Sequence, residues 1–234
     1  MGSPLDAWLL YADDSLLVLN KPAGLLSVPG RGEDKQDCLS ARVQSRFSDT
    51  LIVHRLDMAT SGLMLMARGP AVQRQLNEAF ASRAVHKRYI AVVDGHLPAP
   101  LNTLDDWGDI DLPIAVDWPR RPLRVIDPVL GKPSQTRWRV LAHNSAPDIT
   151  VSATPEVTPH FMPTTRLELE PVTGRSHQLR VHLQAIGHAI LGDALYGCAR
   201  SQARSERLLL HAHTLTLAHP LDGRALAFTC PAPF

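Results

Sequence analysis

The chain has 234 residues, 44% of them hydrophobic, and a formal charge of +1. That is ample for a substantial core, and near-neutrality sets it apart from strongly basic nucleic-acid binders while leaving local basic patches open. Three cysteines, Cys38, Cys198 and Cys230, stand far apart with no C-x-x-C spacing; this argues against a disulfide framework or a structural zinc and fits a reducing, cytoplasmic setting.

The opening "MGSPLDAWLLYADD" lacks a basic leader, and no later run approaches the ~18 apolar residues of a membrane span. "SLLVLN" (15–20) is an apolar run closed by the turn signal "KPAG" (21–24) and reads as a strand. "DCLSARVQSRF" places Leu39, Val43 and Phe47 four apart, a helical stripe. "TLIVH" and "LMLMA" are strands on either side of a tight polar loop. "PAVQRQLNEAFASR" starts a helix with Pro70 in the first turn and carries Val72, Leu76, Ala79 and Phe80 on one face.

"RYIAVVDG" (88–95) is a strand ending in an Asp-Gly turn. "LDDWGDIDLP" reads as an acidic connector, followed by the basic "DWPRRPLR" with Arg120, Arg121 and Arg124. Residues 144–165, rich in Pro and Thr, read as a long surface insertion. "RLELEPVTG" (166–174) alternates like a half-buried strand. "SHQLRVHLQAIG" sets Leu179, Leu183 and Ile186 on one helix face, places His177 and Arg180 on another, and stops at Gly187. "LLLHAHTLTLA" and "RALAFTC" form an antiparallel pair around "HPLDG". Strands outnumber helices without alternating with them, which indicates an α+β fold with a mixed or antiparallel sheet.

Few chemistries have a signature. His211 and His213 share a strand face, but no third ligand with metal spacing accompanies them, so no metal is expected. Nucleophile-elbow, P-loop and dinucleotide fingerprints are absent, so no cofactor is expected either. Two-carboxylate glycoside hydrolysis would need a second acid near Asp57, and none is evident. Taken alone, Asp57 in "HRLDMATSG" is an ordinary loop carboxylate that can accept backbone N–H bonds. A catalytic reading needs a cation beside it and a pocket around it; Arg180 is a candidate cation. The basic clusters at 68–88 and 120–124 read as solvated surface unless they share a face, where they would meet phosphates.

Five blocks together resemble the RluA family of pseudouridine synthases: "NKPAGLLSVPG", "HRLDMATSG", "KRYIAVVDG", "GRSHQLRVHLQAIGHAILGD" and "LLLHAHTLTLAHPLDGRALAFTCPAPF". They follow the family order and span nearly the whole chain. "DLPIAVDWPRRP" adds a likeness to dual-specificity members that act on 23S rRNA and tRNA anticodon stem-loops. The resemblance implies a curved mixed sheet with flanking helices and a central catalytic cleft. It implies a single catalytic domain over 1–234 without an S4 domain, and a cytoplasmic monomer whose partner is RNA, not DNA or membrane. Asp57 would be the catalytic carboxylate, Arg180 its paired cation, and Tyr89 the residue that stacks on the extruded uracil and helps remove its C5 proton. Arg55 could fill the space the flipped nucleotide leaves. Lys21, Thr60, Arg175, His177 and Gln178 are the further candidates for substrate contact, with loop-building roles as their alternative. The rival to catalysis is an RNA-binding or ribosome-assembly factor on the same fold.

Overall fold

A computed structural model describes residues 4–101, 105–144 and 162–234. In chain order these form α1 (Pro4–Trp8), β1 (Leu9–Ala12), β2 (Leu16–Lys21), α2 (Leu39–Gln44), β3 (Thr50–Ile52), β4 (Ser61–Arg68), α3 (Pro70–Ala81) and β5 (His86–Asp94). There follow β6 (Gly108–Asp111), β7 (Ile114–Val116), β8 (Arg124–Ile126), β9 (Gln135–Asn144), β10 (Thr164–Pro171), α4 (Gln178–Ala185), α5 (Ala199–Ala203), β11 (Leu210–Ala218) and β12 (Ala225–Thr229). The fold is α+β, as the strand-rich pattern indicates. The chain forms two compact units, residues 1–89 with 210–234, and residues 90–209.

In the first unit the sheet runs β1-β2-β4-β11-β12, with β3 also on β4. β11 pairs with β4 in parallel, and the other pairs are antiparallel, so this sheet is mixed. β2 and β4 read as unbroken apolar runs because both their faces are covered: Leu16 to Leu19 and Met64 to Ala67 have no exposed surface. α3 begins with Pro70 in its first turn, turns Val72 and Leu76 into the core, and packs on β4. β11 and β12 form the expected antiparallel pair, with Thr214 opposite Thr229.

The second unit is built on the antiparallel pair β9–β10, with β6 on the other edge of β9 and β7–β8 as a separate hairpin. α4 lies against β8, β9 and β10. Two expectations are corrected here. The acidic connector at 104–113 contains β6, because Gly108 to Asp111 finds a partner in β9. Glu168, which strand alternation would turn to water, is buried and pairs with its cross-strand neighbour Arg139 at 2.5 Å. The insertion expected at 144–165 lies mostly outside the described residues; its first residue ends β9 and its last two begin β10.

Candidate active site

Asp57 lies in the loop between β3 and β4, and the backbone on both of its sides is fixed. The Leu56 N–H donates to Ser27 Oγ (3.1 Å), and the Ser27 hydroxyl donates back to Leu56 O (2.7 Å). On the other side Met58 O accepts the Gly24 N–H (2.9 Å) and Lys21 Nζ (3.1 Å). The Thr60 N–H closes the turn on Asp57 O at 3.1 Å. These cross-segment clamps come from "KPAGLLS", which explains why that block accompanies "HRLD": one segment is the mould of the other. A loop whose backbone is held this way needs little further ordering to present its carboxylate to a substrate.

Lys21 corrects an expectation. It has no exposed surface, and its ammonium donates to Leu25 O (2.7 Å), Pro22 O (2.9 Å) and Met58 O (3.1 Å). It is a strut under the Asp57 loop, the loop-building alternative, and its ammonium is turned away from a substrate contact. Lys21→Met keeps the length but leaves these carbonyls short of a donor, at a cost of about 1–3 kcal/mol in urea-unfolding free energy. It should also lower turnover through a slack loop. An unchanged unfolding midpoint would show that the strut contributes nothing.

His54 supports the same loop from the sheet side. β3 pairs with Met66 to Arg68 of β4, and β11 pairs with Ser61 and Gly62, leaving a gap on that edge. His54 fills it: the Leu65 N–H donates to Nε2 at 2.8 Å, and the ring packs tilted at 31° against Phe80 with centroids 4.8 Å apart. Burial, and then the charge of Lys87, lower the imidazole pKa to about 3, so it is neutral with its proton on Nδ1. The unfolded chain gains a proton near pH 6.5, the folded protein not until about pH 3. Stability should therefore fall as pH drops through that window, by at most about 1.4 kcal/mol per pH unit from this group. His54→Gln retains an acceptor without the titration; its acid-unfolding profile should be flatter between these values, and a profile parallel to wild type would refute the assignment.

Tyr89, near the middle of β5, is half-buried. Burial, and then the negative charge of Asp57, push its hydroxyl well above the ordinary tyrosine range. Asp57 and Tyr89 are thus neighbours electrostatically, and the tyrosine remains an O–H at neutral pH. Thr60 is buried, while Arg55 is exposed beside the loop.

The other candidates gather in the second unit. Arg180 is 4% exposed, which overturns its expected place on a solvent-facing side of α4. Gln178 to Leu183 are all buried, because strand residues cover the polar side of the helix as well. His182, for example, bonds Thr136 Oγ1 and Leu112 O, both at 2.9 Å. Asp193, fully buried, takes Arg180 Nε on Oδ2 (2.8 Å) and Nη2 on Oδ1 (2.7 Å), while Oδ1 also accepts the Leu195 and Tyr196 N–H groups. This fork-to-fork pair fixes the plane of the guanidinium. The Tyr196 ring lies 5.1 Å from the same guanidinium carbon.

His177 is left-handed at φ 58° and so precedes the helix instead of sharing a face with Arg180; its Nδ1 lies 2.7 Å from the Tyr196 hydroxyl. Gln178 is also corrected as an RNA contact. Its Oε1 accepts Thr173 Oγ1 and the Arg175 N–H, and its Nε2 donates to Gln135 O and Thr136 Oγ1, so the amide is spent holding the loop. Arg175 is exposed. His211 and His213 share a strand face as expected, and both lie within 3.1 Å of Cys230 O. Ser27, His54, Asp193 and Tyr196 escaped the sequence reading. Asp193 and Tyr196 both lie within "GHAILGDALYG", but nothing in that spacing says which cation the carboxylate will meet.

The RNA pseudouridylate synthase family model matches residues 15–185. The chain is 44% identical over 233 residues to the dual-specificity RNA pseudouridine synthase RluA of Escherichia coli K12, covering 99% of this chain and 96% of that protein. Identity to the RluA of Haemophilus influenzae is 41% over 236 residues, with the same coverage. Among solved structures, human RNA pseudouridylate synthase domain containing 1 superposes with a TM-score of 0.75 at 29% identity, covering all of this chain and 86% of that one. With its signature blocks in place along this length, the chain belongs to the RluA family of RNA pseudouridine synthases.

Proposed function

We propose that this enzyme isomerises specific uridines in structured RNA of two kinds, 23S rRNA and tRNA anticodon stem-loops, with Asp57 as its catalytic carboxylate. The observation that carries the assignment of Asp57 is the double tether of its loop, beside a tyrosine that its charge affects. Dual specificity is supported by 41–44% identity to enzymes so named. The reaction breaks the N1–C1′ bond, turns the base and joins C1′ to C5; the proton lost from C5 is matched by one gained at N1, so composition is unchanged and no redox partner is needed. Asp57 addresses the sugar or base of a nucleotide flipped from its strand. Tyr89 stacks on the uracil and, being an O–H, offers a donor more readily than a phenolate base. Arg180, its plane set by Asp193, is the cation assigned to Asp57. Arg55, exposed beside the loop, is placed to fill the vacated stack, and Arg175 to meet phosphate.

We read the enzyme as a cytoplasmic monomer acting on RNA and not on DNA or a membrane; among the described residues no helix is long and apolar enough to cross a bilayer. The test is conversion by the purified protein of unmodified 23S rRNA and tRNA transcripts, read as carbodiimide-dependent primer-extension stops. New stops in both RNAs are expected. Stops in one RNA alone remove dual specificity, and RNA binding without any stop favours the assembly-factor reading.

A further inference from the structure

The hairpin β7–β8 holds an indole out in water. Trp118, at its tip, is 66% exposed, although a free tryptophan face is costly to hydrate. The tip is stiff. The Asp117 N–H donates to Leu123 O, the Leu123 N–H to Arg120 O, and the Asp117 carboxylate takes the Arg120 guanidinium on Oδ2 at 2.6 and 2.7 Å. Pro119 and Pro122 restrict the turn further. The Arg121 guanidinium carbon stands 3.5 Å from the indole centroid, covering one face. Residues 114–126 carry three arginines against the single carboxylate of Asp117, which is buried and paired. A hollow of about 340 Å³ at the root of the hairpin is lined by Arg120, Arg124, Gln184, Leu195 and Tyr196 among others. The Tyr196 hydroxyl accepts the Arg124 N–H at 2.9 Å and also meets His177, linking the hairpin to the loop before α4.

We propose that Trp118 is a stacking platform for an unpaired base of the substrate RNA, with Arg121 backing the ring and Arg120 and Arg124 facing the adjoining phosphates. An indole with a cation on one face and its other face in solvent suits any base, since every base offers a π-face. The excess of arginine favours a polyanion over an apolar protein partner. The inference rests on the RNA-modifying reading and adds a second contact, one that selects RNAs offering an unpaired base.

The test uses steady-state conversion of a stem-loop transcript together with filter binding of the same RNA, which reads affinity whether or not chemistry occurs. Trp118→Ala should raise KM and Kd about 5- to 150-fold, the range expected for losing one base–aromatic stack, with kcat within twofold of wild type. Trp118→Phe should recover most of the affinity. In a scan of abasic substitutions through the loop, one position should weaken binding to wild type and cost nothing further in Trp118→Ala. Unchanged KM and Kd in Trp118→Ala, or equal sensitivity of both proteins at every abasic position, overturns the platform. A wild type that binds RNA but converts none defeats the catalytic reading and leaves the platform to the binding data. A wild type that does neither removes both.

Discussion

Asp57→Asn should stop pseudouridine formation while leaving fold and RNA affinity nearly intact. The loop bonds that place residue 57 run through the main chain of Leu56, Asp57 and Met58, to Ser27, Thr60, Gly24 and Lys21. The amide is nearly isosteric with the carboxylate, so unfolding free energy should stay within about 1 kcal/mol of wild type. What is lost is the negative charge and a basic or nucleophilic oxygen. Turnover should fall by a factor on the order of 10³ or more, with Kd for the stem-loop within a few-fold. A second readout is independent of catalysis. Because the Asp57 charge helps hold the Tyr89 hydroxyl above its ordinary range, Asp57→Asn should shift one tyrosine titration downward in ultraviolet absorbance. Wild-type rates from the purified variant would remove Asp57 from the chemistry. An unmoved tyrosine titration would show that the two residues are not coupled.

The parts of this molecule that were legible in sequence are those where burial is symmetrical or turn chemistry is explicit. β4 reads as an apolar run because both faces are covered, and Pro70, Gly95 and Gly187 mark their turns by φ restriction or by positive φ. The Asp57 loop was legible as a loop, and its family likeness supplied the chemistry. Reading failed wherever polar groups are buried against other polar groups. β9 hides behind Arg137 and Arg139, which look like solvent-facing residues; their guanidinium carbons lie 5.2 and 5.0 Å from the Trp107 ring centroid. The period of α4 shows one apolar stripe and sets Arg180 on a different face. His182, Gln178 and Arg180 instead meet Thr136, Gln135 and Asp193, partners 13 to 46 residues away that no local period can reveal. Lys21 misleads for the same reason, since an ammonium satisfied by three carbonyls cannot be told in sequence from one offered to phosphate.

Gly62→Ala should be among the most damaging single-methyl changes in the chain. Gly62 sits at φ +108°, outside the range side chains favour, where β4 comes against β11 in parallel register with Ala212. A Cβ there would stand 2.3 Å from Ala212 O and 2.6 Å from Ala212 N. Those are main-chain atoms of a central strand, and they cannot swing aside as a side-chain tip could. Moving them also strains the neighbouring lock, in which Ser61 Oγ lies 2.8 Å from His211 Nδ1 and His211 Nε2 lies 3.1 Å from Cys230 O. Gly62→Ala should therefore cost at least about 3 kcal/mol in urea unfolding, combining backbone strain with a forced shift of packed strands. Gly24→Ala is the control. Its φ of +84° is also unfavourable for a side chain, but a Cβ there meets nothing within 4 Å, so the cost should be nearer about 1 kcal/mol. Equal unfolding midpoints for the two variants would mean that backbone conformation alone, and not the approach of β11, demands glycine in "TSG". The ordering expected here instead ties that part of the motif to the sheet: Thr60 and Ser61 lead from the Asp57 loop into a place where two strand backbones are too close for any side chain between them.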